Sequence, residues 1–185
     1  MLLSLTTWLQ PESTSEALML AYQQTGKKRY LTQLVDMHYD DLFHFLKSQS
    51  NHSTAQDIVQ KSWLKVIEKK QLYQANGQFK SWLYTIARRL LIDDFRLQNR
   101  LTELDEKITQ QISTLRCEED NVMMKFDNAL AALNFYQREA FILQQEGFSV
   151  SDIAAITHVE FETVKSRLRY AKQQLRNELA EFSDE

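Results

Sequence analysis

The chain is 185 residues long, 43% apolar and 25% charged, which leaves room for one large globular domain or two small ones. Three Gly and one Pro supply too little turn chemistry for a β-rich fold. The single Cys117 excludes an internal disulfide and fits a reducing compartment, and no apolar run approaches the roughly eighteen residues that span a membrane. The net charge of −3 speaks against a protein held on nucleic acid by bulk charge alone, but it is unevenly spread: residues 15–97 carry 12 basic against 8 acidic side chains, and residues 126–185 carry 6 against 10.

Residues 1–14 hold no periodic pattern, Pro11 breaks any helix there, and the stretch lacks the basic region and small-residue cleavage site of a signal peptide; they read as an N-terminal extension. Ser15 to Thr25 predicts a helix closed by Gly26, and Lys27 to Ser48 a second with Leu31, Leu34, Val35, Tyr39, Leu42, Phe43 and Leu46 at helical spacing. Ser53 with Gln56, or Thr54 with Asp57, opens a third helix running to about Gln71, its core face formed by Ile58, Val59, Trp63, Val66 and Ile67. After an exposed loop from Tyr73 to Gly77, a fourth helix from about Gln78 to Leu97 carries Phe79, Trp82, Leu83, Ile86, Leu90 and Phe95. Four such helices close a domain over 15–97. The pattern thins over 98–117, a polar linker with room for a short helix from Glu103 to Leu115. A second domain, 118–185, opens with Glu118 to Leu133, and Asn134 with Gln137 caps the helix Phe135 to Glu146. The fold class is all-α, two helical domains joined by a polar linker.

The most informative stretch is Gly147 to Arg176. Gly147 stops one helix, and Ser149 with Asp152 three residues on has capping-box spacing for the next. Ile153, Ala154 and Ile156 face inward, His158-Val159 stands at a turn, and Val164 is an apolar anchor ten residues after the small Ala154. From Thr163 to Arg176 there are five cations (Lys165, Arg167, Arg169, Lys172 and Arg176) and no acid. An apolar stripe backed by a cationic face is what a helix-turn-helix lays into a major groove.

The succession AQDIVQKSWLKVIEK, FKSWLYTIARRLLIDDFR and REAFILQQEGFSVSDIAAITHVEFETVKSRLR resembles the extracytoplasmic-function (ECF) sigma factors of bacterial RNA polymerase, over about Ser15 to Ala180. The resemblance implies a dissociable polymerase subunit whose N-terminal four-helix domain opens the minus-ten element and whose C-terminal helix-turn-helix reads the minus-thirty-five element. It implies as partners core RNA polymerase (the β′ coiled coil and the β subunit), promoter DNA and an anti-sigma factor, often membrane-bound, in a bacterial cytoplasm. It implies no cofactor, no metal and no catalytic residues.

Carried onto this sequence, the polymerase-docking face is Asp57, Gln60, Lys61 and Leu64, off the core stripe. Here DIVQKSW stands for the family's DxVQExF, with Lys61 in place of Glu and Trp63 in place of Phe. The family uses the loop at 73–79 to capture a base flipped from the non-template strand. Asn76 and Gln78 have amides that pair with a base edge, and Tyr73 is a stacking partner. On the fourth helix Lys80, Tyr84, Arg88 and Arg89 leave the apolar stripe, cations interleaved with an aromatic, as single-strand binding requires; Arg89 replaces a common Asn. In the helix-turn-helix, Lys165, Ser166, Arg169 and Tyr170 face bases and phosphates, and Thr163 and Arg138 reach the backbone. Arg167 is expected to point either there or back into its own domain. His158 stands where the family has Gly, and Glu160 and Glu162 where Pro and Gly are common.

The alternative reading is a stand-alone helix-turn-helix regulator with an N-terminal sensing domain. Net acidity, the lack of a dimer seam and the SWLYTIAR block stand against it. An enzyme is the weakest reading, because the four His and the acids form no metal-ligand spacing.

Overall fold

The computed structural model describes residues 14–74, 79–104 and 122–180. Among them are eight α-helices, one 3-10 turn and no strand: α1 (Ser15–Thr25), α2 (Lys28–Gln49), α3 (His52–Lys69), the turn Lys70–Leu72, α4 (Phe79–Leu104), α5 (Val122–Ala132), α6 (Phe135–Gln145), α7 (Val150–Thr157) and α8 (Phe161–Ala180). None is long and apolar enough to cross a membrane.

The helix boundaries follow local chemistry. Thr14 accepts a hydrogen bond from the Ala17 amide at the start of α1, and Gly26, at φ 66°, lets its own N–H reach the Tyr22 carbonyl at the end. Helix α3 is capped two residues before Ser53, the earlier of the two caps that the Ser and Thr spacing predicts. The Asn51 side chain accepts from the Thr54 amide at 2.8 Å, and Asn caps at least as well as Ser or Thr. Helix α4 runs on to Leu104, past the predicted end at Leu97, because Gln98 to Leu104 contains no Gly or Pro to stop it. Residues 1–13 of the predicted 1–14 extension, and residues 105–121 with most of the predicted linker and of its short helix, lie outside the described residues.

Helices α1 to α4 pack as a four-helix bundle around Leu34, Leu42, Phe45, Ile58, Val59, Leu83 and Leu91, all essentially without exposed surface. Burying side chains of this size contributes about 1.5–3 kcal/mol each. In α3 the buried positions are Ala55, Ile58, Val59, Ser62, Trp63 and Val66, each three or four residues from another on the same face. That register corrects Ile67, which the sequence put in the core: it lies about 100° beyond Val66 and is 40% exposed, beside Leu64 at 58%. Helices α5 to α8 pack on one another, α5 against α8 through Ala129, Leu130, Leu133, Ala171 and Leu175. The two halves also meet, α7 against α4 and α6 against α2, so that one apolar cluster continues from Leu83 and Tyr84 into Ala140, Leu143, Phe148, Ile153 and Val164.

Candidate nucleic-acid interface

The helix-turn-helix is built by its caps. At the end of α6 Gly147 takes φ 88°, and the Phe148 amide folds back onto the Leu143 carbonyl at 3.2 Å. Ser149 and Asp152 complete a reciprocal capping box at the start of α7. His158 ends α7 in the left-handed region, φ 55° and ψ 45°, the one described non-Gly residue with positive φ. Ile153, Ile156, Val164 and Leu168 then lock α7 and α8 together.

This arrangement turns one side of α8 to solvent. Thr163, Lys165, Ser166, Arg169, Tyr170 and Lys172 are exposed, and Glu162, Lys165, Ser166, Leu168, Arg169 and Lys172 line a shallow depression. Lys165 pairs with Glu162 at 3.0 Å and lies 5.6 Å from the Phe161 ring centre; the Arg169 guanidinium is 5.0 Å from that of Tyr170. Arg167 turns the other way, 4.7 Å over the Tyr136 ring, with its Nη1 buried and without a hydrogen-bond partner. Arg138, expected to reach the DNA backbone, is engaged within the protein. It donates to the carbonyls of Ala131 and Leu133 at 3.1 and 3.2 Å, closing the end of α5, and to Gln49 Oε1 of the other half at 3.3 Å. Burial pulls its pKa down.

Helix α4 meets a different environment. Its Arg88 forms a two-pronged pair with Glu139 of α6, Nε to Oε1 at 2.7 Å and Nη2 to Oε2 at 3.2 Å, and Glu139 has no exposed surface. Burial pushes the Glu139 carboxyl above the usual carboxylate range, an effect that Arg88 and then Arg167 oppose. Lys80 Nζ donates to the Glu146 carbonyl at 2.9 Å and lies 3.5 Å from Glu146 Oε2 and 3.2 Å from Asp41 Oδ2. Tyr84 corrects its expected exposure. It is fully buried, its hydroxyl donates to Glu146 Oε2 at 3.1 Å, and its ring stands 4.8 Å from that of Phe148. Desolvation, then Glu146, holds the phenol pKa far above its ordinary value. Of the four predicted strand-binding residues on α4, Arg89 alone is exposed.

Tyr73 is a further correction. It is buried between Trp82 and Phe79, with ring centres 5.0 and 6.0 Å away, and its hydroxyl donates to Glu16. Gln23 holds the backbone beneath it through the Lys70 and Tyr73 carbonyls at 2.9 and 3.0 Å. Tyr73 and Phe79 therefore form an aromatic footing on either side of 75–78. Asn76 and Gln78 lie outside the described residues.

On α3, Asp57, Gln60, Lys61 and Leu64 share an exposed face that Ile67 extends. Lys61 is paired with Asp57 at 2.5 Å, and that hydrogen bond raises the lysine pKa. Among the described residues no group of three or more His, Cys, Asp or Glu could hold a metal.

Sequence reading missed Glu139, Glu146, Gln49 and Ile67. One signal was available for Glu139: it sits beside Ala140 and one turn before Leu143, in the core register of α6, where an acid needs a partner.

Known proteins match the same two halves. The model of Sigma-70 region 2 matches residues 34–101, and that of Sigma-70, region 4 matches residues 123–175. The chain is 32% identical to the ECF RNA polymerase sigma factor EcfG of Rhodopseudomonas palustris, over 68% of this chain and 71% of that protein. It is 30% identical to the RNA polymerase sigma factor SigV of Bacillus subtilis, over 85% of this chain and 95% of that one. The solved structure of the sigma factor RpoE in complex with the anti-sigma factor NepR, from Bartonella quintana, superposes with a TM-score of 0.71 at 29% identity, covering 83% of this chain and 98% of that one.

Proposed function

Because this chain belongs to the extracytoplasmic-function branch of the sigma-70 family and is thus an RNA polymerase sigma factor, directing promoter recognition and transcription initiation, we propose how its parts divide that work. Residues 15–97 form the domain that opens the minus-ten element, 118–185 the domain that reads the minus-thirty-five element, 98–117 the linker, whose start to Leu104 continues α4, and 1–14 an extension. Lys165, Ser166, Arg169 and Tyr170 read the duplex and Thr163 fixes the backbone. The carrying observation is the exposed cationic side of α8, held out by the capping box and the left-handed turn before it.

The minus-ten strand falls to Asn76 and Gln78 in the loop and to Lys80, Tyr84, Arg88 and Arg89 on α4. Tyr73 supports the loop from inside, and Arg138 supports α8 indirectly by tying α5 to α6. The face of Asp57, Gln60, Lys61, Leu64 and Ile67 docks on the polymerase β′ coiled coil, two exposed aliphatic side chains supplying apolar contact; the β subunit receives the second domain. The protein contributes no catalytic group of its own, works in the cytoplasm, and has an anti-sigma partner, as RpoE has NepR.

Run-off transcription tests this directly. Purified protein with bacterial core polymerase is expected to transcribe a subset of a promoter library, and Lys165→Ala and Asn76→Ala to lose that activity. Tight binding to duplex DNA by the protein alone, with no transcription from any fragment, would overturn it.

A further inference from the structure

Resting on the assignment of the loop at 73–79 to a base of the unpaired promoter strand, we propose a further DNA contact, outside that loop and outside α4 and α8. Lys27, Lys28, Arg29, Lys69 and Lys70 form a cationic track that takes the phosphates of the same strand as it leaves the captured base.

Three observations carry this. First, these cations are gathered and unspent. The ion pairs of residues 15–97 take up Lys61, Lys65, Lys80, Arg88 and Arg96. Among the described residues the other seven of the 12 cations there have no acidic partner, and five of those seven are these. The fold brings their two stretches together. The Lys70 ammonium lies 4.8 Å from the centre of the Tyr22 ring and 3.6 Å from where a Cβ on Gly26 would stand, beside Lys27. Glu68, the acid next to Lys69 in sequence, is held by Lys65 at 2.6 Å.

Second, stability does not account for the charges. Lys27 is the N-cap of α2 and Lys28 and Arg29 are its first residues, with no acid in the first turn and no side-chain cap. Cations at that end oppose the helix dipole and cost stability, an opposition that a bound phosphate relieves. An aromatic stands among them, as in a single-strand groove: the Arg29 guanidinium is 4.6 Å from the centre of the Tyr30 ring and donates to its hydroxyl at 2.6 Å.

Third, the track begins at the loop. Gln23 donates to the Lys70 and Tyr73 carbonyls at 2.9 and 3.0 Å, tying the cations to the footing of the loop. The three residues from Lys70 to Tyr73 span about 11 Å at most. Four of the five cations are lysines, point charges on flexible stems, so the track adds affinity and register without base preference.

The test uses holoenzyme, the full chain with core RNA polymerase, on fluorescent forked templates made from a promoter found active by run-off transcription. In one fork the unpaired non-template strand ends at the captured base; in the other it runs on past it. On the longer fork, Lys27→Gln/Lys28→Gln/Arg29→Gln is expected to lower the slope of log affinity against log salt by about 2, since each single-strand phosphate contact carries about 0.7. The short fork should not change, and the thermal midpoint of the free variant should hold or rise. Lys69→Gln/Lys70→Gln should lower the longer-fork slope by about 1 and serves if the triple variant does not fold. An unchanged slope on the longer fork in both variants overturns the track, and so does an equal drop on both forks, which would mean general attraction to duplex. Loss of binding to phosphatidylglycerol vesicles with an unchanged slope would assign the cations to a membrane surface and overturn it too. Asn76→Ala separates the track from the reading beneath it: normal binding of both forks by that variant removes the loop assignment, while a defective Asn76→Ala beside unchanged track variants removes the track alone.

Discussion

Helices α4 and α8 carry the same sequence pattern, cations and an aromatic set off an apolar stripe, yet they meet opposite surroundings. On α8, Lys165, Arg169 and Tyr170 stand in solvent, with one local ion pair to Glu162. On α4, Lys80, Tyr84 and Arg88 are covered by α6 and by the segment leading to α7. The pattern sets cations beside an aromatic in both cases; the acids of the facing half decide whether those side chains stand open. Glu139 and Glu146, seven residues apart, lie on one side of the α6 end and reach two cations eight residues apart on α4.

The largest way to break this contrast is Arg88→Ala. It removes both hydrogen bonds that the fully buried Glu139 carboxylate takes from the guanidinium, and is expected to cost about 3 kcal/mol in urea unfolding. Replacing both partners, Arg88→Met with Glu139→Leu, should cost much less. The equivalent step on α8, Arg169→Ala, should leave stability within about 0.5 kcal/mol but weaken promoter binding by about 1–3 kcal/mol.

Next is His158→Gly, expected to stabilise the protein by about 1 kcal/mol, because a left-handed backbone strains any side chain with a Cβ. A rise in thermal midpoint with unchanged DNA contacts would confirm it.

A smaller effect comes from His38, beneath α4. Its Nε2 lies 2.7 Å from Ser15 Oγ, and burial, then Lys80, lowers its pKa below 6.5, with Asp41 opposing. The unfolded chain therefore binds more protons than the folded one as pH falls through 6.5. Stability should decline from there and level off below the folded value; His38→Gln should flatten that slope in unfolding curves at pH 5–7.

Smallest in stability is Glu162→Gln, about 0.5 kcal/mol or less for an exposed pair. Its expected readout is promoter preference, since the carboxylate shares a depression with Lys165, Ser166 and Arg169, which we propose read the duplex, and an unchanged preference would remove Glu162 from readout.

Much of the fold was legible because short-range chemistry determines it. Gly26, Asn134, Ser149 with Asp152 and Gly147 act within four residues of themselves, and the helices begin and end where they stand. Features that depend on a second element were less legible. Ile67 is apolar and near the α3 stripe, but its exposure depends on a register fixed by Ala55 and Ser62, two small residues that carry little hydrophobic signal. Tyr73 looks like a loop residue until Glu16, Gln23 and Trp82 close over it from distant parts of the chain. Arg138 reads as a phosphate ligand by position, yet two carbonyls at the end of α5 claim it first.

The central claim is that both helices serve promoter DNA but only α8 is free to do so before polymerase binds. Run-off transcription and protein-alone duplex binding, measured side by side for Lys165→Ala/Arg169→Ala and Lys80→Ala/Arg88→Ala, test it most directly. Both pairs should abolish transcription by the holoenzyme, while only the α8 pair should weaken the residual duplex binding of the free protein. Normal transcription by the α4 pair, or equal loss of free-protein binding from both, would contradict the account.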